Sequence, residues 1–218
     1  MSDTVHTLDA TAWPRQRITG VILAGGRGKR MQCADKGLLE FEDKPLIEHV
    51  ISALKPQVGA LLISANRNLA QYRTYGSPVV TDVDDDYPGP LAGMASGMQA
   101  AETEFILVVP CDAPFIPAEL AQELYRALDR QAADLSVVHD GSRLQPVFCL
   151  LRRSLLPALD DYLAGGGRRV HEWAEGQSAA QADFSAQPGA FMNLNTPADF
   201  NTPDTGSDRE MRAPCRTT

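Results

Sequence analysis

Residues 18–31 read ITGVILAGGRGKRM, an apolar segment that leads directly into a loop rich in glycines and cations. The near-continuous hydrophobicity of residues 18–24 is typical of a strand that is buried on both faces of a sheet. Glycines allow backbone N–H groups to approach an anion closely, and the cations offset the charge of a polyphosphate. Because ligands of open α/β sheets bind beyond the carboxyl ends of the strands, this loop is predicted to bind a phosphate-bearing ligand.

Short apolar runs and longer amphipathic runs alternate from this segment to about residue 201. This order predicts an α/β domain with a mostly parallel sheet covered by helices. Apolar residues at helical spacing predict helices over 46–54, 91–98 and 120–128. The predicted strands are residues 18–24, 60–65, 78–81, 105–109, 134–139 and 145–151.

Two terminal segments are left out of the predicted domain. Residues 1–17 are predicted to form a flexible N-terminal extension, and residues 18–201 the domain itself. Residues 202–218 are rich in Pro, Thr, Asp and Arg without apolar periodicity, which predicts a disordered C-terminal tail.

The composition excludes several classes of protein. The chain has 218 residues, of which 44% are hydrophobic and 22% charged, as in globular proteins. Its net charge of −8 argues against nucleic-acid binding, which depends on many Lys and Arg side chains. The sequence has neither a signal-peptide pattern nor a run of about 20 apolar residues, and its four cysteines form no C-x-x-C pair. We therefore expect a cytoplasmic protein that binds a small ligand, with neither nucleic acid nor a membrane as its partner.

The glycine-rich loop does not match the two best-known phosphate-binding motifs. A Walker A motif would need Gly where Leu23 stands and Ser or Thr where Arg30 stands. A dinucleotide-binding fingerprint would need Gly where Met31 stands. The loop alone therefore leaves open a basic turn without a ligand.

A second signal is the segment PCDAP, residues 110–114, which follows the apolar run 105–109. Asp112 is thereby predicted to lie at the carboxyl edge of the sheet, near the glycine-rich loop. Mg²⁺ is commonly held by one or two carboxylates together with phosphates and waters, so Asp112 is a candidate metal ligand. A turn or helix N-cap aspartate is the alternative for this residue taken alone.

These strings together resemble molybdenum cofactor guanylyltransferases of the MobA type, which are nucleotidyltransferases with a Rossmann-like fold. The resemblance implies a single Rossmann-like three-layer domain. The segments that carry it are LAGGRGKRM (23–31), DKGLL (35–39), KPL (44–46), PGPLAGM (88–94) and PCDAP (110–114).

The resemblance implies transfer of GMP from GTP to the phosphate of Mo-molybdopterin, with release of pyrophosphate and with Mg²⁺ as cofactor. Molybdoenzymes or their chaperones are then the expected protein partners. Asp82 resembles the aspartate that contacts guanine in this family. The candidate catalytic residues are Asp112, Lys36 and Arg30, with Asp112 as the metal ligand. The candidate nucleotide-binding residues are Leu23, Ala24, Gly25, Gly26, Lys36, Asp82 and Asp112.

Some alternatives stay open at this point. A cytidylyltransferase or a sugar-1-phosphate nucleotidyltransferase would have the same fold, and a noncatalytic carrier could bind GTP or the cofactor without reacting. The family's asparagine near the nucleoside falls on Ser64, and Asn66 lies two residues further on. The sequence does not decide which of these two residues makes that contact.

Overall fold

The fold is built on a central sheet whose strands alternate with helices along the chain. A computed structural model describes residues 13–24, 35–82 and 89–194. The strands are β1 (Ile18–Leu23), β2 (Glu40–Phe41), β3 (Lys44–Pro45), β4 (Ala60–Ser64), β5 (Val79–Val80), β6 (Phe105–Pro110), β7 (Leu135–His139), β8 (Leu144–Arg152) and β9 (Ala180–Asp183). The α-helices are α1 (Leu46–Leu54), α2 (Leu69–Arg73), α3 (Pro90–Ala100), α4 (Leu120–Arg130), α5 (Leu156–Ala164) and α6 (Val170–Gly176).

The main sheet has seven strands in the order β5-β4-β1-β6-β8-β7-β9. Neighbouring strands are parallel except at β8, which is antiparallel to β6 and to β7. β2 and β3 form a separate antiparallel hairpin. The expectation of an α/β fold with a mostly parallel central sheet is therefore confirmed.

Helices cover both faces of the sheet and produce the expected three layers. The central strands β1 and β6 are buried on both faces, so alternate residues enter different cores. Ile18 and Ile22 of β1 lie in the core shared with α1, α2 and α4, whereas Val21 lies in the core shared with α3, α5 and α6. The predicted strands and the three predicted helices all occur, with ends that differ by one or two residues.

The sequence pattern did not predict β9, the β2–β3 hairpin, α2, α5 or α6. In β9 the buried positions are Ala180 and Ala182, which alternate with exposed residues. Two alanines give too small an apolar signal to identify a strand from hydrophobicity. The strand exists because it pairs in parallel with β7 along its full length.

Part of the predicted N-terminal extension lies on the domain. Trp13 packs against the core, and Arg15–Arg17 form a 3-10 turn before β1. The Arg17 guanidinium is paired with Glu104 and lies over the ring of Phe105. Residues 13–17 are thus attached to the domain, and the other predicted segment boundaries stay predictions.

The described helices are short or mixed in polarity. Within residues 13–24, 35–82 and 89–194, no helix has the length and apolar character that crossing a membrane requires.

Helix α3 packs against β1 at a glycine, and the contact leaves no room for a side chain. A Cβ on Gly97 would lie 2.7 and 2.8 Å from the two methyl carbons of Val21. The Val21 side chain is fully buried and has few rotamers, so it cannot move aside cheaply. Residue 97 therefore sets how closely α3 approaches the strand that leads to the candidate site.

We expect Gly97→Ala to lower the free energy of unfolding by about 1–3 kcal/mol, because the added methyl group overpacks the contact with Val21. Gly176→Ala in α6 is the control, since a Cβ there would meet nothing within 4 Å. Urea denaturation of both variants measures the difference. A Gly97→Ala protein as stable as Gly176→Ala would contradict the close contact.

Candidate active site

The parallel register of β1, β4 and β6 brings Leu23, Ala24 and Asp112 to one edge of the sheet. Leu23, the last residue of β1, is in register with Ser64 of β4 and with Pro110 of β6. The pairing continues beyond the strands, because the N–H of Ala24 donates to the Ser64 carbonyl at 2.7 Å. The N–H of Cys111 likewise donates to the Leu23 carbonyl at 3.1 Å. The next residues along β6 and β4 are therefore presented at the carboxyl edge.

Lys36 and Asp112 meet at this edge. The Lys36 Nζ atom lies 3.1 Å from Oδ2 of Asp112, and the Asp112 side chain is 9% exposed. Lys36 belongs to a 3-10 turn, Lys36–Leu38, in which the N–H of Leu38 donates to the Asp35 carbonyl. A lysine and a carboxylate that are 76 residues apart in the chain thus form one charged pair at the end of β6.

The backbone of Asp112 is hydrogen-bonded to Leu194, the last residue that the structure describes. Its backbone carbonyl accepts a hydrogen bond of 2.9 Å from the N–H of Leu194. The thiol of the preceding residue, Cys111, is buried, and burial together with the charge of Asp112 raises its pKa above the usual range. Cys111 therefore stays protonated and is unsuited to nucleophilic chemistry.

Asp82 is held by Asn66 at the end of β5. Asn66 donates from Nδ2 to Oδ2 of Asp82 at 2.7 Å, and its Oδ1 accepts from the N–H of Asp82 at 2.9 Å. The pairing follows from the register of Ser64 with Val80, because Asn66 and Asp82 each lie two residues beyond it. Ser64 itself is buried, with 1% exposure, so Asn66 is the more accessible of the two candidates for the nucleoside contact.

The two carboxylates are separated by the width of several strands. Asp82 follows β5 and Asp112 follows β6, and these strands are three positions apart in the sheet. At a strand spacing of about 4.8 Å, their ends lie about 14 Å apart. This separation is on the scale of an extended nucleoside triphosphate, so a base at Asp82 and phosphates at Asp112 can be accommodated together.

Several candidate residues lie outside the described part of the chain. These are Gly25, Gly26 and Arg30 of the glycine-rich loop, which begins immediately after Ala24. Leu23 and Ala24 lead the chain up to this loop at the level of Cys111. The roles of all candidate residues in binding and catalysis stay predictions.

The described side chains fit a magnesium ion better than a metal that needs three or more protein ligands. Residues 13–24, 35–82 and 89–194 contain no cluster of three or more His, Cys, Asp or Glu side chains suited to a metal. Asp112 nevertheless presents a carboxylate at the strand end. A single hard oxygen ligand is sufficient where phosphates and waters supply the remaining ligands of Mg²⁺.

The carboxylate of Asp35, beside Lys36, is buried, and the sequence analysis did not predict a role for it. Asp35 is 8% exposed and accepts a hydrogen bond of 2.6 Å from the hydroxyl of Tyr72. Burial, with the nearby Cys111 and Asp35, raises the pKa of the Tyr72 phenol, which therefore stays protonated as the donor. The sequence signal for Asp35 is its position in the segment DKGLL, but no local pattern identifies Tyr72 as its partner.

The β7–β8 connection forms another fixed loop at the same edge. Asp140 Oδ1 accepts from the backbone N–H groups of Ser142 and Arg143, each at 2.8 Å, and from the Ser142 hydroxyl at 2.7 Å. Oδ2 accepts from the Gln145 amide at 2.7 Å. Burial acts to raise the pKa of Asp140, but these hydrogen bonds outweigh it and hold the pKa well below its usual range.

Comparisons with known proteins agree with this geometry. The profile of the MobA-like NTP transferase domain matches residues 20–180. A molybdenum cofactor guanylyltransferase from Cupriavidus pinatubonensis is 46% identical over 197 residues, covering 88% of this chain and 98% of the relative. A molybdenum cofactor guanylyltransferase from Shewanella sediminis is 45% identical over 181 residues, covering 83% and 92% respectively.

Solved structures show the same fold at lower sequence identity. Molybdopterin-guanine dinucleotide biosynthesis protein A from Archaeoglobus fulgidus superposes with a TM-score of 0.69 at 20% identity. The match covers 84% of this chain and 94% of that protein. A nucleotidyl transferase from Methanothermobacter thermautotroptrophicus gives a TM-score of 0.66 at 20% identity, with the same two coverages.

We expect the Asp140 carboxylate to stabilise the fold in a pH-dependent way. Because its pKa is lowered on folding, its contribution is complete above the unfolded value of about 3.9 and is lost as the pH falls below that value. Asp140→Asn should therefore be less stable than the wild type at pH 6, and the difference should shrink toward pH 3. Urea denaturation across this range measures it. A difference that is constant with pH would contradict the contribution of the charge.

Proposed function

The chain belongs to the family of molybdenum cofactor guanylyltransferases, and we propose on that premise that it transfers GMP from GTP to the phosphate of Mo-molybdopterin. As a member of the MobA-like NTP transferases, it is a nucleotidyltransferase. The proposed product is the molybdopterin guanine dinucleotide cofactor, and pyrophosphate leaves. The observation that best supports the chemistry is the pair of Lys36 and Asp112 at the end of β6.

In the proposed reaction, a phosphate oxygen of Mo-molybdopterin forms a bond with the α-phosphorus of GTP. The bond from the α-phosphorus to the oxygen that bridges to the β-phosphorus breaks, and pyrophosphate leaves with that electron pair. The acceptor phosphate is already ionised at neutral pH, so the step needs no protein base. The protein's tasks are to position two anions and to stabilise charge at the phosphorus.

Lys36 and Asp112 are proposed to carry out these tasks together. The ammonium group of Lys36 binds phosphate oxygens and offsets their charge. Asp112 is the residue proposed to hold Mg²⁺, which when bound supplies further charge neutralisation to the triphosphate and its leaving group. The buried position of the Asp112 carboxylate at a strand end keeps it preorganised, because the strand backbone is fixed on both sides.

The glycine-rich loop and Asp82 are proposed to bind the two ends of GTP. Gly25, Gly26 and Arg30 are proposed to bind the triphosphate with backbone N–H groups and a guanidinium. Asp82 is proposed to accept hydrogen bonds from N1–H and the 2-amino group of guanine, a donor pair that cytosine lacks. A cytoplasmic location and delivery of the product to molybdoenzymes or their chaperones stay predictions.

The first test is pyrophosphate release from GTP, ATP, CTP and UTP in the presence of Mg²⁺ and Mo-molybdopterin. We expect turnover with GTP. We expect kcat to fall at least about 100-fold in Asp112→Asn, which weakens the proposed Mg²⁺ site, and in Lys36→Met, which removes the ammonium group, because both stabilise charge in the transition state. Asp129→Asn is the matched control, because Asp129 is exposed at the C-terminal end of α4.

Each contrary outcome of this experiment identifies an alternative. Turnover with CTP in place of GTP would indicate a cytidylyltransferase. When a sugar 1-phosphate replaces Mo-molybdopterin in the same assay, turnover with the sugar phosphate alone would indicate a sugar-1-phosphate nucleotidyltransferase. GTP binding without turnover, in a preparation of demonstrably active acceptor, would favour a noncatalytic carrier.

A second prediction concerns base selectivity. We expect Asp82→Asn to lower kcat/KM for GTP by about 10- to 100-fold, because a hydrogen bond to a charged group contributes about 1.5–3 kcal/mol. Inosine triphosphate lacks the 2-amino group, so the variant should lose most of the preference for GTP over inosine triphosphate. Asn66→Ala should reduce the same preference to a smaller extent, since Asn66 orients Asp82. An unchanged preference for GTP over inosine triphosphate in both variants would contradict the proposed contact of Asp82 with guanine.

A further inference from the structure

Asp35, the residue before Lys36, has a buried carboxylate that the proposed reaction does not use. Its side chain is 4% exposed. Oδ1 accepts from the Tyr72 hydroxyl at 2.6 Å, and Oδ2 accepts from Nδ2 of Asn68 at 3.0 Å. The Nε atom of Arg67 lies 3.6 Å from Oδ2 and supplies an opposite charge. A buried carboxylate is tolerated because such partners replace its water.

All three partners of Asp35 belong to one stretch of chain between β4 and the end of α2. Tyr72 is fully buried in the core shared with α1 and α4, so its hydroxyl is held at a fixed position. The hydrogen bond from Tyr72 therefore joins the backbone just before Lys36 to the rigid part of the domain. Because the Tyr72 ring is buried, its hydrogen bond to Asp35 lies in the interior and not at the surface.

The residue after Lys36, Gly37, packs closely against two buried side chains. A Cβ on Gly37 would lie 2.8 Å from the Tyr72 hydroxyl oxygen and 3.1 Å from Sγ of Cys111. The chain at Gly37 thus lies close to both Tyr72 and Cys111, the residue that immediately precedes Asp112. Lys36 is therefore flanked by Asp35, which is bonded to Tyr72, and by Gly37, which is packed against Cys111.

We propose that Asp35 and Tyr72 are positioning residues that hold the Lys36 ammonium group beside Asp112. A lysine side chain has four flexible methylene groups, so its ammonium group is placed accurately only if its backbone is fixed. Displacement of a charge-stabilising group by about 1 Å can cost on the order of 100-fold in rate. The inference rests on the proposed role of Lys36, and neither Asp35 nor Tyr72 contacts the substrate in it.

The decisive variant is Tyr72→Phe, which removes one hydroxyl and keeps the ring in the core. We expect the dissociation constant for Mg·GTP to rise about tenfold, because the Lys36 ammonium group is no longer held in place. In a Lys36→Met background the same substitution should change the dissociation constant by less than about twofold. Tyr125→Phe, on α4 against Phe105, is the matched control and should bind Mg·GTP like the wild type.

A purely structural role would give a different result. Tyr72→Phe would then leave GTP binding unchanged in the folded protein, or would weaken it equally with and without Lys36. Either of these results overturns the proposal. Thermal unfolding of each variant, measured beside the binding titration, ensures that only folded protein is compared.

Asp35→Asn provides a second variant. It keeps the shape of the side chain but turns an amide toward Asn68 and Arg67, so we expect it to weaken Mg·GTP binding at least as much as Tyr72→Phe. If this variant does not fold, Tyr72→Phe decides the question alone. A folded Asp35→Asn protein with unchanged binding would overturn the role of Asp35.

The binding readout separates this inference from the proposed reaction. If the wild type binds Mg·GTP and shows the dependence on Lys36 but transfers no GMP, the positioning role stands and the proposed transfer fails. If it transfers GMP and Tyr72→Phe binds Mg·GTP normally, the reaction stands and the positioning role fails.

Discussion

The register of β1 with β4 and β6 is the constraint on which the site depends. Leu23, Ser64 and Pro110 lie at the same level, so the residues that follow each strand emerge together. A slip of one residue would reverse the direction of every side chain in a strand. Both faces of β1 are buried, which makes such a slip costly, and the close approach of α3 at Gly97 adds a steric limit. The positions of the charged groups are therefore a result of core packing.

The carboxyl edge is divided between two kinds of electrostatic environment. At the end of β6 the Lys36 ammonium group and the Asp112 carboxylate are paired, and the proposed reaction requires them to separate so that they bind phosphates and a cation. At the end of β5 the carboxylate of Asp82 is oriented by the neutral amide of Asn66. The proposed function places the triphosphate and its cation in the first environment and the guanine base in the second.

The sequence predicted the elements whose residues carry a strong local signal. β1 and β6 are continuous apolar runs, and α1, α3 and α4 have apolar residues at helical spacing, so all five were identified. Asp112 and Lys36 were chosen as candidate site residues because they lie in distinctive strings, and the structure brings their side chains together. The pairs Asn66–Asp82 and Asp35–Tyr72 could not be predicted, because each joins residues that only the strand register or the core brings together. Long-range contacts of single polar residues leave no periodic trace in a sequence.

The described sheet ends on both sides in short strands. β5 contributes Val79–Val80 on one side, and β9 contributes Ala180–Asp183 on the other. An edge strand offers unpaired N–H and C=O groups to any passing chain, and a long, flat edge is a template for aggregation. Edges of two and four residues offer few such groups, and β9 also ends in the charged residue Asp183. The apolar strands that build the site are thereby kept in the interior, where they cannot recruit a second molecule into a growing sheet.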